Sequence, residues 1–294
     1  MPEHLHSKFK IQNSKLSSEG LPRFVTPLLA AEETTHYYWV MKENLLLYSH
    51  LDSSMAKQIE KTGLQPLWTS AEPVPGGRGT AGKTVVAGRT MFAKKESRGG
   101  LAGKILPDRY FFRSPFDAEW MIAARAADAG LSPRVVARSL VRHSILFEVF
   151  TLEEWIEGVV PLEEPVRNGT ASREDFFTSG KTIALLHQEG IVHGDLNAGN
   201  ILLNTKNEAF IVDFRHSDCF SDPPTPSVRR SNLRRLARSL TKIRALGAPA
   251  FKSPPLPLLA EGYAQGWGER EEWLDAWQGE APAAYRFRRL LWRN

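Results

Sequence analysis

The chain has 294 residues, with 38 Lys or Arg against 33 Asp or Glu, a formal net charge of +5, and 42% hydrophobic and 24% charged content. Such a composition belongs to a globular protein long enough to bury a real core as one large domain or two lobes. Its single cysteine, Cys219, excludes an internal disulfide framework and a cysteine-built metal site.

Residues 1–35 are polar and weakly periodic, and read as a flexible or loosely docked extension. The first residues lack the charged start and apolar core of a secretory signal. Tyr37 to Val40 and Asn44 to Tyr48 are apolar and aromatic enough for short strands, and Ser53 to Thr62 for a short helix. Pro73 to Gly82, rich in glycine and proline, reads as a loop without regular structure. Thr84 to Ala87 and Thr90 to Lys94 read as a hairpin turning at Gly88-Arg89. Phe116 to Ala129 has helical spacing, with Gly130 as its stop.

Pro133 to Leu140 and Ile145 to Trp155 form a second strand pair. Arg173 to Gln188 is an amphipathic helix ending at Gly190, and Ile201 to Leu203 and Ala209 to Val212 are short strands around a turn. Asn232 to Ile243 is another helix, and the prolines at 223, 224, 226, 254, 255 and 257 read as rigid connectors on either side of it. No apolar run approaches the ~18 residues of a spanning helix.

The most informative stretch is the string His193-Gly194-Asp195-Leu196-Asn197-Ala198-Gly199-Asn200, followed by Ile201-Leu202-Leu203 and, thirteen residues after Asn200, by Asp213-Phe214. Phosphoryl transfer needs a carboxylate beside the attacking hydroxyl and oxygen ligands that hold magnesium against the phosphates of ATP. Asp195 fills the first role, and Asn200 and Asp213 the second. His193 reads as a residue that holds the loop through hydrogen bonds, since Asp195 already occupies the place of the base.

Gly77, Gly79 and Gly82 allow backbone amides to approach phosphates where a side chain would block them. Lys94 ends the strand Met91-Phe92-Ala93-Lys94 in the apolar-Ala-Lys pattern of an ATP-contacting lysine, and alternation puts it on the face opposite Ala93 and Lys95. Lys94 is preferred to Lys95 on that pattern, and Glu119 in the following helix is its expected partner.

Two basic regions stand apart from this machinery. The insert between Arg98 and Arg113 and the tail from Tyr285 interleave cations with aromatic residues, which suits an anionic membrane surface as well as simple packing. Arg229, Arg230, Arg234, Arg235, Arg238, Lys242 and Arg244 follow one another without an acid, while Leu233, Leu236, Leu240 and Ile243 form a core stripe. The cations are then the outward face, available for an anion.

These residues resemble the lipopolysaccharide core kinase family of Gram-negative bacteria, the Kdo and WaaP-type heptose kinases. The resemblance rests on Gly76 to Gly79, Ser97 to Leu101, Asp108 to Tyr110, Pro115 to Glu119, His193 to Leu202 and Asn232 to Leu240, and spans roughly residues 38–245. It implies an α+β, bilobal protein-kinase-like fold with an antiparallel-sheet N-lobe over 36–156 and a mainly helical C-lobe over 157–294. It also implies ATP and Mg2+ as cofactors and a sugar hydroxyl of the inner core, Kdo on lipid A in particular, as acceptor. The expected place is the cytoplasm, peripheral on the inner membrane, with no nucleic-acid partner. Arg215-His216 after Asp213-Phe214 departs from the family's continuation.

Three rivals share the catalytic string. A phosphotransferase for aminoglycosides or choline needs an acidic pocket for a cationic acceptor, whereas Asp218 and Asp222 are outnumbered by cations. A protein kinase needs an Ala-Pro-Glu-like segment that the stretch from Asp213 to Asn232 lacks. A kinase-like binding module at the membrane has no use for the complete Asp, Asn, Asp set.

Overall fold

The computed structural model describes residues 37–40, 45–74, 81–97, 108–111, 114–143, 145–250 and 254–280. Gly77, Gly79, most of the basic insert and the tail from residue 281 lie outside them.

The N-terminal half is built on a seven-stranded antiparallel sheet in the order β1-β2-β6-β7-β5-β4-β3. Its strands are β1 (Tyr37–Val40), β2 (Leu45–Tyr48), β3 (Glu72–Pro73), β4 (Ala81–Val86), β5 (Arg89–Lys95), β6 (Val135–His143) and β7 (Leu146–Glu154). Period-two alternation sends Met91 and Ala93 of β5 into a core with Leu45, Leu47, Phe150 and Leu152. Helices α1 (Ser53–Thr62) and α2 (Leu64–Thr69) cover that face through Met55, Ile59, Leu64 and Leu67. Asp52 caps α1 by accepting from the amides of Ser54 and Met55.

Helix α3 (Ser114–Asp128) is tied to the sheet by Arg138, a buried guanidinium that donates to Phe116 O and the Asp117 carboxylate and lies over the Trp120 ring.

Three details differ from the sequence reading. The stretch 73–82 is not all loop: Pro73 ends β3 and Gly82 lies in β4, paired with both Pro73 and Ala93. Two-stranded pairing costs a short segment little when a sheet edge is already present, and proline is tolerated at that edge. The hairpin turn falls one residue earlier, at Ala87 and Gly88, whose φ values of 48° and 77° suit the tight turn between twisted antiparallel strands. Pro254, Pro255 and Pro257 do not form a connector; they start a helix, where a missing amide hydrogen costs nothing.

The C-terminal half is mainly helical: α4 (Glu163–Asn168), α5 (Arg173–Gln188), α6 (Pro226–Ala245), α7 (Pro255–Trp267) and α8 (Glu272–Glu280). Ser172 and Asp175 close a capping box at the start of α5. The sides of α5 and α7 meet at backbone distance, because a Cβ on Gly180 would lie 2.1 Å from Leu259 O and one on Gly262 1.9 Å from Phe177 O. Phe176, Ile183, Leu186, Leu236, Leu259 and Tyr263 fill the core between these helices and α6.

Short strands frame the loop of interest: β9 (Ile191–Val192) pairs with β12 (Asp218–Cys219), and β10 (Ile201–Leu203) pairs with β8 (Val160–Pro161) and β11 (Ala209–Ile211). No helix among the described residues is long and apolar enough to cross a membrane.

Candidate active site

The loop from His193 to Asn200 leaves β9 and enters β10 through a 3-10 turn at Ala198–Asn200. Asp195 is exposed at its tip. The Asn197 amide donates to Asp195 O at 3.0 Å and to the carboxylate Oδ2 at 3.2 Å, and so orients the acid. Asn200 donates its amide to Asp195 O at 2.9 Å, and Val212 N–H donates to Asn200 O at 3.0 Å. The loop and the strand end before Asp213 are thereby one unit. Asp213 has φ 63°, left-handed backbone that a non-glycine residue adopts only when its surroundings impose it.

His193 is buried, and its Nδ1 accepts from Asp195 N–H at 3.1 Å. The other ring nitrogen must then carry the hydrogen, which it donates to Val212 O at 3.0 Å. Burial pushes its pKa down, so the ring is a neutral bridge between loop and strand. This is the structural role expected from the sequence.

Gly194 is needed for a different reason. A Cβ there would stand 2.1 Å from His216 O and 2.8 Å from Arg215 O, so only a glycine lets the two backbone segments touch.

A second layer of polar groups, invisible as a motif, supports the loop from beneath. Asn232 of α6 donates to His193 O at 2.7 Å and accepts from His187 Nε2 at 3.0 Å. His187 Nδ1 then accepts from Tyr263 OH at 2.8 Å. Burial lowers the His187 pKa to about 4, which keeps it neutral. Arg229 extends the chain of contacts: it pairs with both carboxylate oxygens of Glu271 and lies 3.8 Å from the centroid of the Trp267 ring. Arg229 is 3% exposed, so it is no part of the outward cationic face to which periodicity assigned it. A partner acid 42 positions away in sequence makes its burial tolerable.

Across the cleft, Lys94 and Lys95 separate as alternation requires. Lys95 pairs with Asp108 and Glu148. Lys94 lines the cleft that also holds Glu96, Glu119, Glu153 and Asp213. Its ion pair is to Glu96, at 2.9 Å, rather than to the expected Glu119. Burial opposes the charge on Lys94, but Glu96, Glu153, Asp213 and Glu119 outweigh it and hold its pKa above the usual lysine value.

Arg215 explains where Glu119 goes. Its guanidinium pairs with Glu96, donates to Ser97 O at 3.1 Å and lies 3.9 Å from Glu119. Burial, reinforced by Glu96, raises the Glu119 pKa to about 7, against the pull of Lys94 and Arg215. Glu96, Glu119, Glu153 and Asp213 thus gather about Lys94 and Arg215 in this cleft, with Arg138 also in its lining.

Gly82 has a packing role, since a Cβ on it would meet Glu72 O at 2.7 Å.

The family model described as lipopolysaccharide kinase (Kdo/WaaP) family matches residues 70–252. The chain belongs to that family.

The family match takes in β3 through α6 and so contains Lys94, Glu119, Asp195, Asn200 and Asp213. Among similar proteins, the 3-deoxy-D-manno-octulosonic acid kinase of Xylella fastidiosa (strain M23) is 30% identical over 235 residues, which cover 77% of this chain and 92% of the relative. The protein of the same name from Stenotrophomonas maltophilia (strain K279a) is 32% identical over 208 residues, or 68% of this chain and 82% of the relative. That of Vibrio vulnificus (strain YJ016) is 29% identical over 204 residues, or 67% and 85%. Asn197, Asn232, Glu96 and Arg215 are the site residues that motif reading passed over. Asn232 and Asn197 stood inside strings on which the resemblance rests, and Arg215 was visible only as a departure after Asp213-Phe214.

Proposed function

We propose that the protein transfers the γ-phosphoryl group of ATP to a hydroxyl of the lipopolysaccharide inner core, with 3-deoxy-D-manno-octulosonic acid as the acceptor sugar. The observation that carries the reading is the Asp195 carboxylate, exposed yet oriented by Asn197, on a loop locked to the strand end before Asp213. Asp195 accepts the proton of the acceptor hydroxyl; the hydroxyl oxygen forms a bond to the γ-phosphorus, and the bond from that phosphorus to the β,γ-bridging oxygen breaks to release ADP.

Asn200 and Asp213 are the residues that would hold Mg2+. The amide nitrogen of Asn200 is engaged by Asp195 O, which leaves the amide oxygen as the hard donor such an ion prefers. No group of three or more His, Cys, Asp or Glu side chains among the described residues is arranged to hold a metal alone, which fits an ion that takes its remaining ligands from phosphate and water. Bound Mg2+ supplies neutralisation of phosphate charge. Lys94 would contact the phosphates, kept charged and extended by Glu96 with Glu119 nearby. Backbone amides at Gly77, Gly79 and Gly82 belong to the same proposal. So do the lobe division near residue 156 and a peripheral contact of the basic insert and tail with an anionic membrane surface at the cytoplasmic face.

The test is phosphorylation of lipid A carrying this sugar by the purified protein with ATP and Mg2+, read by mass spectrometry as one added phosphate. Asp195→Ala is expected to lower turnover by about 10²–10⁴-fold while ATP binding persists. Normal turnover by that variant would remove Asp195 as the base. An unmodified acceptor with active ATP binding would remove the acceptor assignment.

A further inference from the structure

A cleft of about 490 Å³ opens directly beside Asp195, between α4 and α6. Its charged lining is Arg167, Arg235, Arg238 and Lys242 against Glu163 and Asp195. Glu163 is taken up by Arg167, whose Nε donates to it at 2.8 Å. Arg235, Arg238 and Lys242 follow at three- and four-residue steps, so they share one face of α6. Among the described residues no acid forms an ion pair with any of these three.

Like charges at such spacing repel, and Arg238 is half-buried, which adds to the cost of leaving it unmatched. The same helix shows what a structural arginine does, for Arg229 is matched by both oxygens of Glu271. The face is also held in register with the catalytic loop: Ala198 N–H donates to Ser239 Oγ at 3.2 Å, and Ser239 lines the cleft beside Arg238.

We propose that Arg235, Arg238 and Lys242 bind an oxyanion of the acceptor and thereby set its neighbouring hydroxyl against Asp195. The inference rests on the kinase reading above and names what recognises the acceptor. Two sources offer that chemistry: the carboxylate implied by an octulosonic acid and a phosphate on the lipid to which the sugar is joined. A planar guanidinium pair suits either group. A cationic acceptor would be repelled from the same cleft.

The experiment compares wild type with Arg235→Gln, Arg238→Gln and Lys242→Gln, using lipid A carrying the sugar as probe. Arg235 and Lys242 are exposed, so their variants keep the fold even if Arg238→Gln does not. Each change is expected to raise the acceptor KM about 10–100-fold and to leave the ATP KM within about twofold. Equilibrium binding of the acceptor without ATP should weaken in parallel.

Two modified probes separate the sources. If the methyl ester of the carboxylate raises the wild-type KM and the variants lose no more, the carboxylate is the bound group; if removal of the lipid phosphates does so, the phosphate is. If neither probe changes KM, or if the variants keep the acceptor KM or raise the ATP KM instead, the proposal is overturned. A wild type that binds the acceptor through these residues but transfers no phosphate would sink the kinase reading while supporting the cleft.

Discussion

Adding a single methyl group at Gly194 tests whether backbone contact positions the catalytic loop. In Gly194→Ala the new Cβ would lie 2.1 Å from His216 O, where an ordinary contact begins at 3.4 Å. The obstacle is a carbonyl, not the end of a flexible side chain, so the two segments must separate by about 1 Å. Gly194 adjoins Asp195, and its own N–H is held at 3.0 Å by Ser217 Oγ, so the displacement moves the carboxylate proposed as the base. A misplacement of about 1 Å costs roughly a hundredfold in rate, or about 2.7 kcal/mol of barrier. Overpacking should also cost about 1–3 kcal/mol of stability.

The control is Gly88→Ala at the β4–β5 turn, where φ is +77° and nothing lies within 4 Å of the added Cβ. It stores about 1–2 kcal/mol of backbone strain without touching the loop. The assay is phosphate transfer under saturating substrates at a temperature where both variants remain folded by circular dichroism. We expect kcat to fall about a hundredfold for Gly194→Ala and to stay near wild type for Gly88→Ala. A Gly194→Ala protein that is folded and keeps half or more of the wild-type kcat would refute the argument.

Asn232→Ala leaves the His187 N–H and the His193 carbonyl buried without their partner. We expect a loss of about 2–4 kcal/mol, read as a fall of roughly 3–7 °C in melting temperature; a change below about 0.5 kcal/mol would mean that this layer does not support the loop.

Glu119 makes a prediction about pH. Its folded pKa of about 7 exceeds the ordinary 4.5, so the folded state binds the extra proton between those values and its contribution to stability is lost as pH rises from about 4.5 to 7. His187, lowered by burial to about 4, has the opposite sign: its contribution is present above about 6.5 and lost on acidification. Denaturant titrations of wild type and Glu119→Gln should therefore be compared at each pH. The variant should gain on the wild type by up to about 3 kcal/mol between pH 4.5 and 7. A difference independent of pH would show that Glu119 does not take up its proton in that range.

Much of the site could be read along the chain because its parts are local. His193 to Asn200 is one loop that carries Asp195 and Asn200, and Asp213 follows directly after the short β10–β11 hairpin that the loop enters. Alternation alone separated Lys94 from Lys95, since successive strand residues face opposite sides of the sheet. The long hairpin and the helix at Arg173–Gln188 were legible for the same reason: turn glycines, caps and periodicity are short-range features.

Pairing between distant residues was not legible. Arg229 looked like its neighbouring cations until α8 brought Glu271 against it, and burial followed from that pairing rather than from its place on the helix. Glu119 stood at the right position for Lys94, but Glu96, two residues from the lysine, took the ion pair, and Arg215 reached both glutamates from the other side of the cleft.

By itself, then, the sequence determined the order of elements, the spacing of Asp195, Asn200 and Asp213 and the excess of positive charge, all of which depend on identity and spacing. Tertiary structure alone decided which of the seven cations around α6 are structural and which three face the cleft at Asp195. That choice depends on which acids the fold brings within a few ångströms, because in a partly buried site an unmatched charge costs more than a matched one.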